Sequence, residues 1–350
     1  MARIVYGVSG EGSGHSSRAR EVPTHLLESG HEVRVASYDR GHANLRDDFD
    51  VLEIEGLHIA TVDNRVRLVE TFTSNLARMS EGVRSLKTLR NELFRAFEPE
   101  VVLTDFEPMT AYLANHYRLP LVSIDNQHRM RWMRYEKPPE LAREALMAET
   151  VIRAMVPRPD VALVTTFWFG EVKNERTFLF PPLLRREVRE LDGREGDHVL
   201  VYFTQGFEGF LEHLATFRDE RFVVYGAGRE GEAGNLVFKA PSRTGFLDDL
   251  ASARAVIATA GFTLLTESLH LGKPYLALPM EGQFEQELNA HLLEEGGYGK
   301  NGRGATRDTV AAFLYDLLRY RGALEGYPRS ADNGALFARL DEVLAEKAGG

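Results

Sequence analysis

At 350 residues the chain is long for one hydrophobic core and predicts two domains. A formal net charge of −10 argues against nucleic-acid binding, which needs a basic surface to neutralise phosphates. The absence of cysteine excludes disulfides, a thiol nucleophile and thiolate metal sites.

"RIVYGVS" is the first predicted strand, and "GVSGEGSGH" continues it into a glycine-rich turn. Such turns cradle phosphates, yet a dinucleotide fingerprint fails here: Gly10 and Gly12 supply G-x-G, and His15 holds the third glycine position. The β-branched runs "HEVRVAS", "VLEIEG", "EVVLTD", "LPLVSID" and "DVALVTT" follow, separated by longer helical patterns. After them "PPLLRREVRELDGREGD", residues 181–197, reads as a linker that could act as a hinge. A second series of runs comes next: "HVLVYFT", "RFVVYGA", "ARAVIATA" and "KPYLALP". Strands alternating with helices predict βαβ units and parallel sheets, and runs apolar on both faces predict strands covered from each side. The expected domains are residues 1–180 and 198–328, with a terminal helix in 329–350 packing back on the body. No apolar stretch approaches a membrane span and no signal-peptide pattern opens the chain, so a cytoplasmic protein is expected.

The densest signal is "RAVIATAGFTLLTESLHLGKPYLALPMEGQFEQELNAHLLEEGGYG". A strand ends near Thr259, Gly261 turns the chain, and a helix begins near Thr263. The backbone N–H groups of Phe262, Thr263 and Leu264 would then form an anion site at the sheet's carboxyl edge. Glu267 lies one turn further, roughly 6 Å along the axis, where a carboxylate suits a ribose diol better than phosphates. Gln286 and Asn289 share a helix face, and their amides can donate to and accept from sugar hydroxyls. Taken one at a time, each of these residues is ordinary; the ordered set is what carries information.

That set resembles the donor-binding half of GT-B glycosyltransferases, and most of all the family of the peptidoglycan lipid-linked N-acetylglucosaminyltransferase (family 28-like). Gly261, Thr263, Glu267, Gly272, Pro274, Gln286, Asn289 and Ala290 occur in that family's order. "TDFEP" followed by "LPLVSIDNQH" is also similar to a group of uncharacterised bacterial and archaeal transferases. The resemblance implies an α/β fold of two doubly wound Rossmann-like domains facing across a cleft, with a nucleotide-diphosphate sugar as donor. It implies Phe246 and Leu247 at the nucleobase, Glu267 on the ribose, and Gln286 and Asn289 near the sugar. Thr204, Gln205 and Gly206 match a second glycine-bearing loop facing the diphosphate, although Phe207 stands where the family often keeps a small residue. A uridine donor is expected on family grounds only.

"GEGSGH" looks like the same family's first turn, with Gly12 and Gly14 letting backbone approach the donor phosphates. His15, at a predicted helix N-terminus, is kept from charging by the dipole and could take the acceptor's proton in an inverting transfer. Alternatively it only caps that helix. Asp105 ends "VVLTD", within reach as the orienting carboxylate; His128 and Asp125 are further candidates. "DDFD" contains the D-x-D pattern of another glycosyltransferase fold but reads as a solvated charge run. No metal site and no cofactor are expected, the donor being a substrate. The acceptor is an unidentified hydroxyl, with a lipid-linked carrier among the candidates. Two arginine-rich apolar segments, one of them "RMRWMRYEKPPELAREALMAETVIRAM", could touch a membrane surface, but amphipathic helices with arginine on the wet face account for them. Competing readings are a sugar-nucleotide epimerase on the same fold, a non-catalytic nucleotide-sugar sensor, and a nicotinamide dehydrogenase using Asp39.

Overall fold

The computed structural model describes residues 1–10, 19–56, 61–62, 65–66, 79–203, 208–329 and 333–348. The chain divides into two compact units, Met1–Ala60 with Val66–Arg186 and Ser330–Gly350, and Thr61–Arg65 with Glu187–Arg329.

Strands of the first unit are β1 (Arg3–Val8), β2 (Glu32–Ser37), β3 (Val51–Glu53), β6 (Val101–Asp105), β7 (Leu121–Asp125), β8 (Val161–Thr165) and β9 (Thr177–Phe180). They form one sheet in the order β3-β2-β1-β6-β7-β8-β9, parallel throughout. Between them in the chain, β4 (Thr61–Val62) and β5 (Arg65–Val66) make a separate two-stranded ribbon. Alternate residues feed opposite faces of the sheet: Ile4, Leu103 and Val122 enter one core, Val5, Val102 and Leu121 the other. The helix Gly334–Ala348 covers the first of these faces with Leu336, Leu340, Val343 and Leu344, spaced as one helical stripe. Asn333 leads into it, its side chain accepting from Leu184 N–H at 3.2 Å and donating to Leu184 C=O at 3.0 Å.

The second unit holds β10 (His198–Tyr202), β11 (Arg221–Tyr225), β12 (Gly231–Ala233), β13 (Leu236–Lys239), β14 (Ala255–Thr259), β15 (Tyr275–Leu278) and β16 (Gly299–Asn301). Their order is β12-β13-β11-β10-β14-β15-β16, parallel except for the β12–β13 edge pair. Within 181–197 the chain forms a helical turn, Arg186–Arg189, and buries Leu183, Leu184 and Val188. The run "DDFD" is tied by surface ion pairs, Asp48 to Arg20 and Asp50 to Arg34.

The segment "TDFEP" shows how closely the first sheet is packed. Phe106 takes a left-handed φ of 58°, and Pro108 opens the helix Pro108–Tyr117. Glu107 caps that helix, its buried carboxylate accepting from Met109 N–H at 2.7 Å, Thr110 N–H at 2.8 Å and Thr110 Oγ1 at 2.5 Å. Burial raises its pKa, while the bonds from Thr110 and Met109 oppose the rise. This cap presses on β1: a Cβ at Gly7 would lie 2.0 Å from Thr110 Oγ1 and 2.8 Å from Glu107 Oε2. Gly7→Ala is therefore expected to destabilise the chain by about 1–3 kcal/mol through overpacking. A urea midpoint unchanged from the parent would show that the cap can yield.

Candidate active site

In an open α/β sheet, ligands gather outside the carboxyl ends of strands, where the strand order reverses. The first sheet reverses between β1 and β6, the second between β10 and β14. The four loops at these points begin after Val8, Asp105, Tyr202 and Thr259. In the sequence these strand ends are followed by "SGEGSGH", "FEP", "FTQG" and "AGF", so both switch points fall beside segments singled out from the sequence.

In the second unit β14 ends at Thr259, Gly261 is the N-cap of the helix Phe262–His270, and no side chain caps that end. A Cβ built on Gly261 would meet nothing within 4 Å. The protein's own packing therefore does not demand this glycine, and the room beside it is open to a ligand. Glu267 is buried in the helix at 3 % exposure. It acts on Tyr275, whose hydroxyl donates to Thr259 C=O at 2.7 Å and whose pKa is raised by burial, then by Tyr202 and Glu267. Gln286 is half-buried; its Oε1 accepts from Met280 N–H at 3.1 Å, just past β15, and its amide donates to Gln283 at 2.7 Å. Asn289 has no exposed surface, and its amide donates to Ala260 C=O at 2.7 Å, tying its helix to the turn after β14.

Phe246 is half-buried and meets two tyrosines edge-on, Tyr202 at 5.5 Å and Tyr225 at 5.1 Å between ring centroids. Leu247 beside it is buried. The tyrosines end β10 and β11 and are register partners, so an aromatic cluster stands at the same carboxyl edge. Tyr225 donates to Asp249 Oδ2 at 2.6 Å, and Lys239 pairs with the same oxygen. Sequence reasoning named Phe246 but missed the tyrosines; the matching final Tyr of "HVLVY" and "RFVVY" was the available signal.

In the first unit Asp105 is fully buried at the end of β6, opposite Val8 in register, and its main-chain oxygen accepts from Ser9 N–H at 3.0 Å. Gly10 passes so near the residue that follows β2 that a Cβ would lie 2.0 Å from Tyr38 C=O. One strand over from β6, Asp125 and His128 form a closed network. His128 donates from Nδ1 to Asp125 Oδ2 at 2.7 Å and from its backbone N–H to Oδ1 at 2.8 Å. Ser123 Oγ donates to Asp125 Oδ2 at 2.5 Å. Burial would raise the Asp125 pKa, but the His128 imidazole and these bonds outweigh it and hold the carboxyl down at about 2. His128 Nε2 is buried with no hydrogen-bond partner, and the ring stacks on Trp132 at 4.4 Å. Neither Asp125 nor His128 has exposed surface, so the pair fixes the turn after β7.

The structure thus brings Phe246, Leu247, Gly261, Phe262, Thr263, Leu264, Glu267, Gln286 and Asn289 to one edge of the second sheet, and Asp105 and Asp125 to one edge of the first. His15, Gly12, Gly14, Thr204, Gln205, Gly206 and Phe207 lie outside the described residues. Among the described residues, no helix is long and apolar enough to cross a membrane.

Comparison with known proteins agrees with this arrangement. An uncharacterized glycosyltransferase of Methanosarcina acetivorans is 27% identical over 347 residues, covering 90% of this chain and 88% of the relative. Another, from Methanosarcina mazei, is 26% identical over 341 residues and 85% of each chain. Among solved structures, the glycotransferase of kitacinnamycin superposes with a TM-score of 0.71 at 17% identity, covering 99% of both chains. CalG4, the calicheamicin glycosyltransferase, gives 0.66 at 16% identity, over 100% of this chain and 98% of the other. Spinosyn rhamnosyltransferase SpnG complexed with thymidine diphosphate gives 0.64 at 17%, over 97% and 100%. The two-sheet α/β fold is that of GT-B glycosyltransferases, and the nicotinamide dehydrogenase reading falls away. With residues 2–318 matching its family model, the chain belongs to glycosyl transferase family 1.

Proposed function

We propose that the enzyme moves a hexosyl group from a nucleotide-diphosphate sugar, with uridine the preferred base, to an acceptor hydroxyl, with inversion and without a metal or further cofactor. The observation that carries this reading is the convergence of the donor motif on the switch point of the second sheet. The N–H groups of Phe262, Thr263 and Leu264 hold the diphosphate at the positive end of their helix, with Gly261 leaving the approach open. Phe246, flanked by Tyr202 and Tyr225, meets the base with Leu247, and Glu267 takes the ribose diol. Gln286 and Asn289 line the sugar end, and Gly12, Gly14, Thr204, Gln205 and Gly206 complete the diphosphate loops. A neighbouring structure complexed with thymidine diphosphate supports a pyrimidine base.

In the transfer, His15 removes the acceptor's proton as its oxygen attacks the anomeric carbon, and Asp105 orients the imidazole. The bond from that carbon to the diphosphate breaks, and the helix N-terminus stabilises the charge that leaves. Glu267→Ala removes charge-assisted hydrogen bonds to the ribose and is expected to weaken donor binding by about 1–3 kcal/mol. Calorimetry with UDP-, TDP- and GDP-sugars reads both the loss and the base preference. Equal affinities for variant and parent would remove Glu267 from the site, and tighter binding of a TDP- or GDP-sugar would replace uridine.

A further inference from the structure

A cavity of about 690 Å³ opens on the first unit. Its floor includes Ala162 and Thr177, register partners near the amino ends of β8 and β9. Its walls carry Arg131, Arg153, Arg158, Lys173 and Arg176, five cations, together with Trp132, and among the described residues no carboxylate lines it. That composition runs against a chain whose net charge is −10.

Like charges so gathered repel one another. Burial and then the neighbouring Arg153 lower the pKa of Arg131, with Glu149 opposing them. None of the five forms an ion pair among the described residues, and Arg131 Nη1 is buried without a hydrogen-bond partner. The cluster is nevertheless built rather than loose. Lys173 Nζ donates to Arg131 C=O at 3.0 Å, and Lys173 N–H to Trp132 C=O at 2.7 Å. The Arg131 guanidinium lies 4.7 Å from the centre of the Trp132 ring, and that ring stacks on the buried His128. The Asp125–His128–Ser123 network therefore backs the pocket wall. A volume of this size takes a small ligand, and planar guanidinium forks match phosphate oxygens in pairs.

We propose that this pocket is a second anion site, which binds the phosphate or diphosphate group of a ligand other than the sugar donor. Phosphate chemistry of this kind is offered by a soluble phosphorylated compound or by a phospholipid headgroup, and the two sources are separable.

The chain has two tryptophans, so Trp168→Phe leaves Trp132 as the one fluorescent reporter, placed in the pocket wall. Inorganic pyrophosphate, titrated at constant ionic strength, is expected to change its emission saturably. The exposed pair Arg153→Gln with Arg176→Gln is expected to raise the apparent Kd by about tenfold or more, as charge-assisted bonds are lost, without moving the thermal midpoint. Phosphatidylcholine vesicles with and without phosphatidylglycerol form the second arm. An arginine-dependent response to pyrophosphate assigns the site to soluble phosphates, and one confined to the anionic vesicles assigns it to headgroups. Emission unmoved by either probe, or a response the arginine pair leaves unchanged, overturns the proposal. Calorimetry with a nucleotide sugar on the same arginine variants and on Glu267→Ala reads the donor site, and a donor affinity set by Glu267 and untouched by the arginine pair keeps this outcome separate from the donor reading.

Discussion

His15→Ala is expected to leave donor affinity nearly intact while lowering turnover by about two to four orders of magnitude. On the proposed reading the donor residues of the 261–289 stretch belong to the second unit, whereas His15 follows β1 in the first, so removing the imidazole would take away no donor contact. On that reading, what would be lost is proton removal from the acceptor as the new bond forms, an interaction made in the transition state. Such a loss lowers kcat and kcat/KM together. Asp105→Asn should cost less, because the base itself stays in place. Turnover of the parent should persist in excess chelator. While the acceptor is unidentified, slow hydrolysis of the donor to nucleoside diphosphate serves as the assay. Parental turnover in His15→Ala would end its assignment as the base and make Asp105 the first candidate.

The second large effect is on stability. Asp125→Asn is expected to cost about 3–5 kcal/mol, because it leaves His128 buried without its charged partner. Urea unfolding of parent and variant near neutral pH reads this difference. Its pH dependence has a definite sign. The carboxyl is held at about 2 in the folded chain against an ordinary 3.8, so its stabilisation is complete above the ordinary value and lost as pH falls through the folded one. The gap between parent and variant should therefore narrow by about 2 kcal/mol as pH falls across that window. A gap that is constant with pH, or absent at neutral pH, would show that the network contributes little.

The central strands were legible because each is a short apolar run that must be covered on both faces. In the two large sheets, the strands the sequence left unread lie at an edge or next to one. "GKN" of β16 and "GEA" of β12 have little β-propensity of their own, and β13, "LVFK", and β9, "TFLF", are too short to separate from loop hydrophobics. Tertiary pairing, rather than local preference, makes them strands. The stretch from Gly261 to Asn289 was readable because its residues follow one another within a single strand–helix–strand–helix run. Asp125 and His128 could be named as candidates, but the hydrogen bonds closing through Ser123 depend on how the turn after β7 folds back. The basic pocket was out of reach for a related reason. Its cations come from the helix His128–Trp132, the end of the helix Ala142–Met155, the segment between that helix and β8, and the segment before β9. Read along the chain, Arg131 and Arg153 looked like the wet faces of amphipathic helices.

The terminal helix has a consequence for how the protein is made. Residues 187–329 supply every strand of the second sheet and the helices that close its core with Val310, Phe313, Leu317 and Tyr320, so that unit can finish folding as soon as they leave the ribosome. The first sheet is synthesised earlier yet must wait for Leu336–Leu344 to cover Ile4, Leu103 and Val122. At on the order of ten residues per second, that apolar face stays open for many seconds after β9 has emerged. The unit translated first is completed last, and in that interval it is the part of the nascent chain that chaperones must shield.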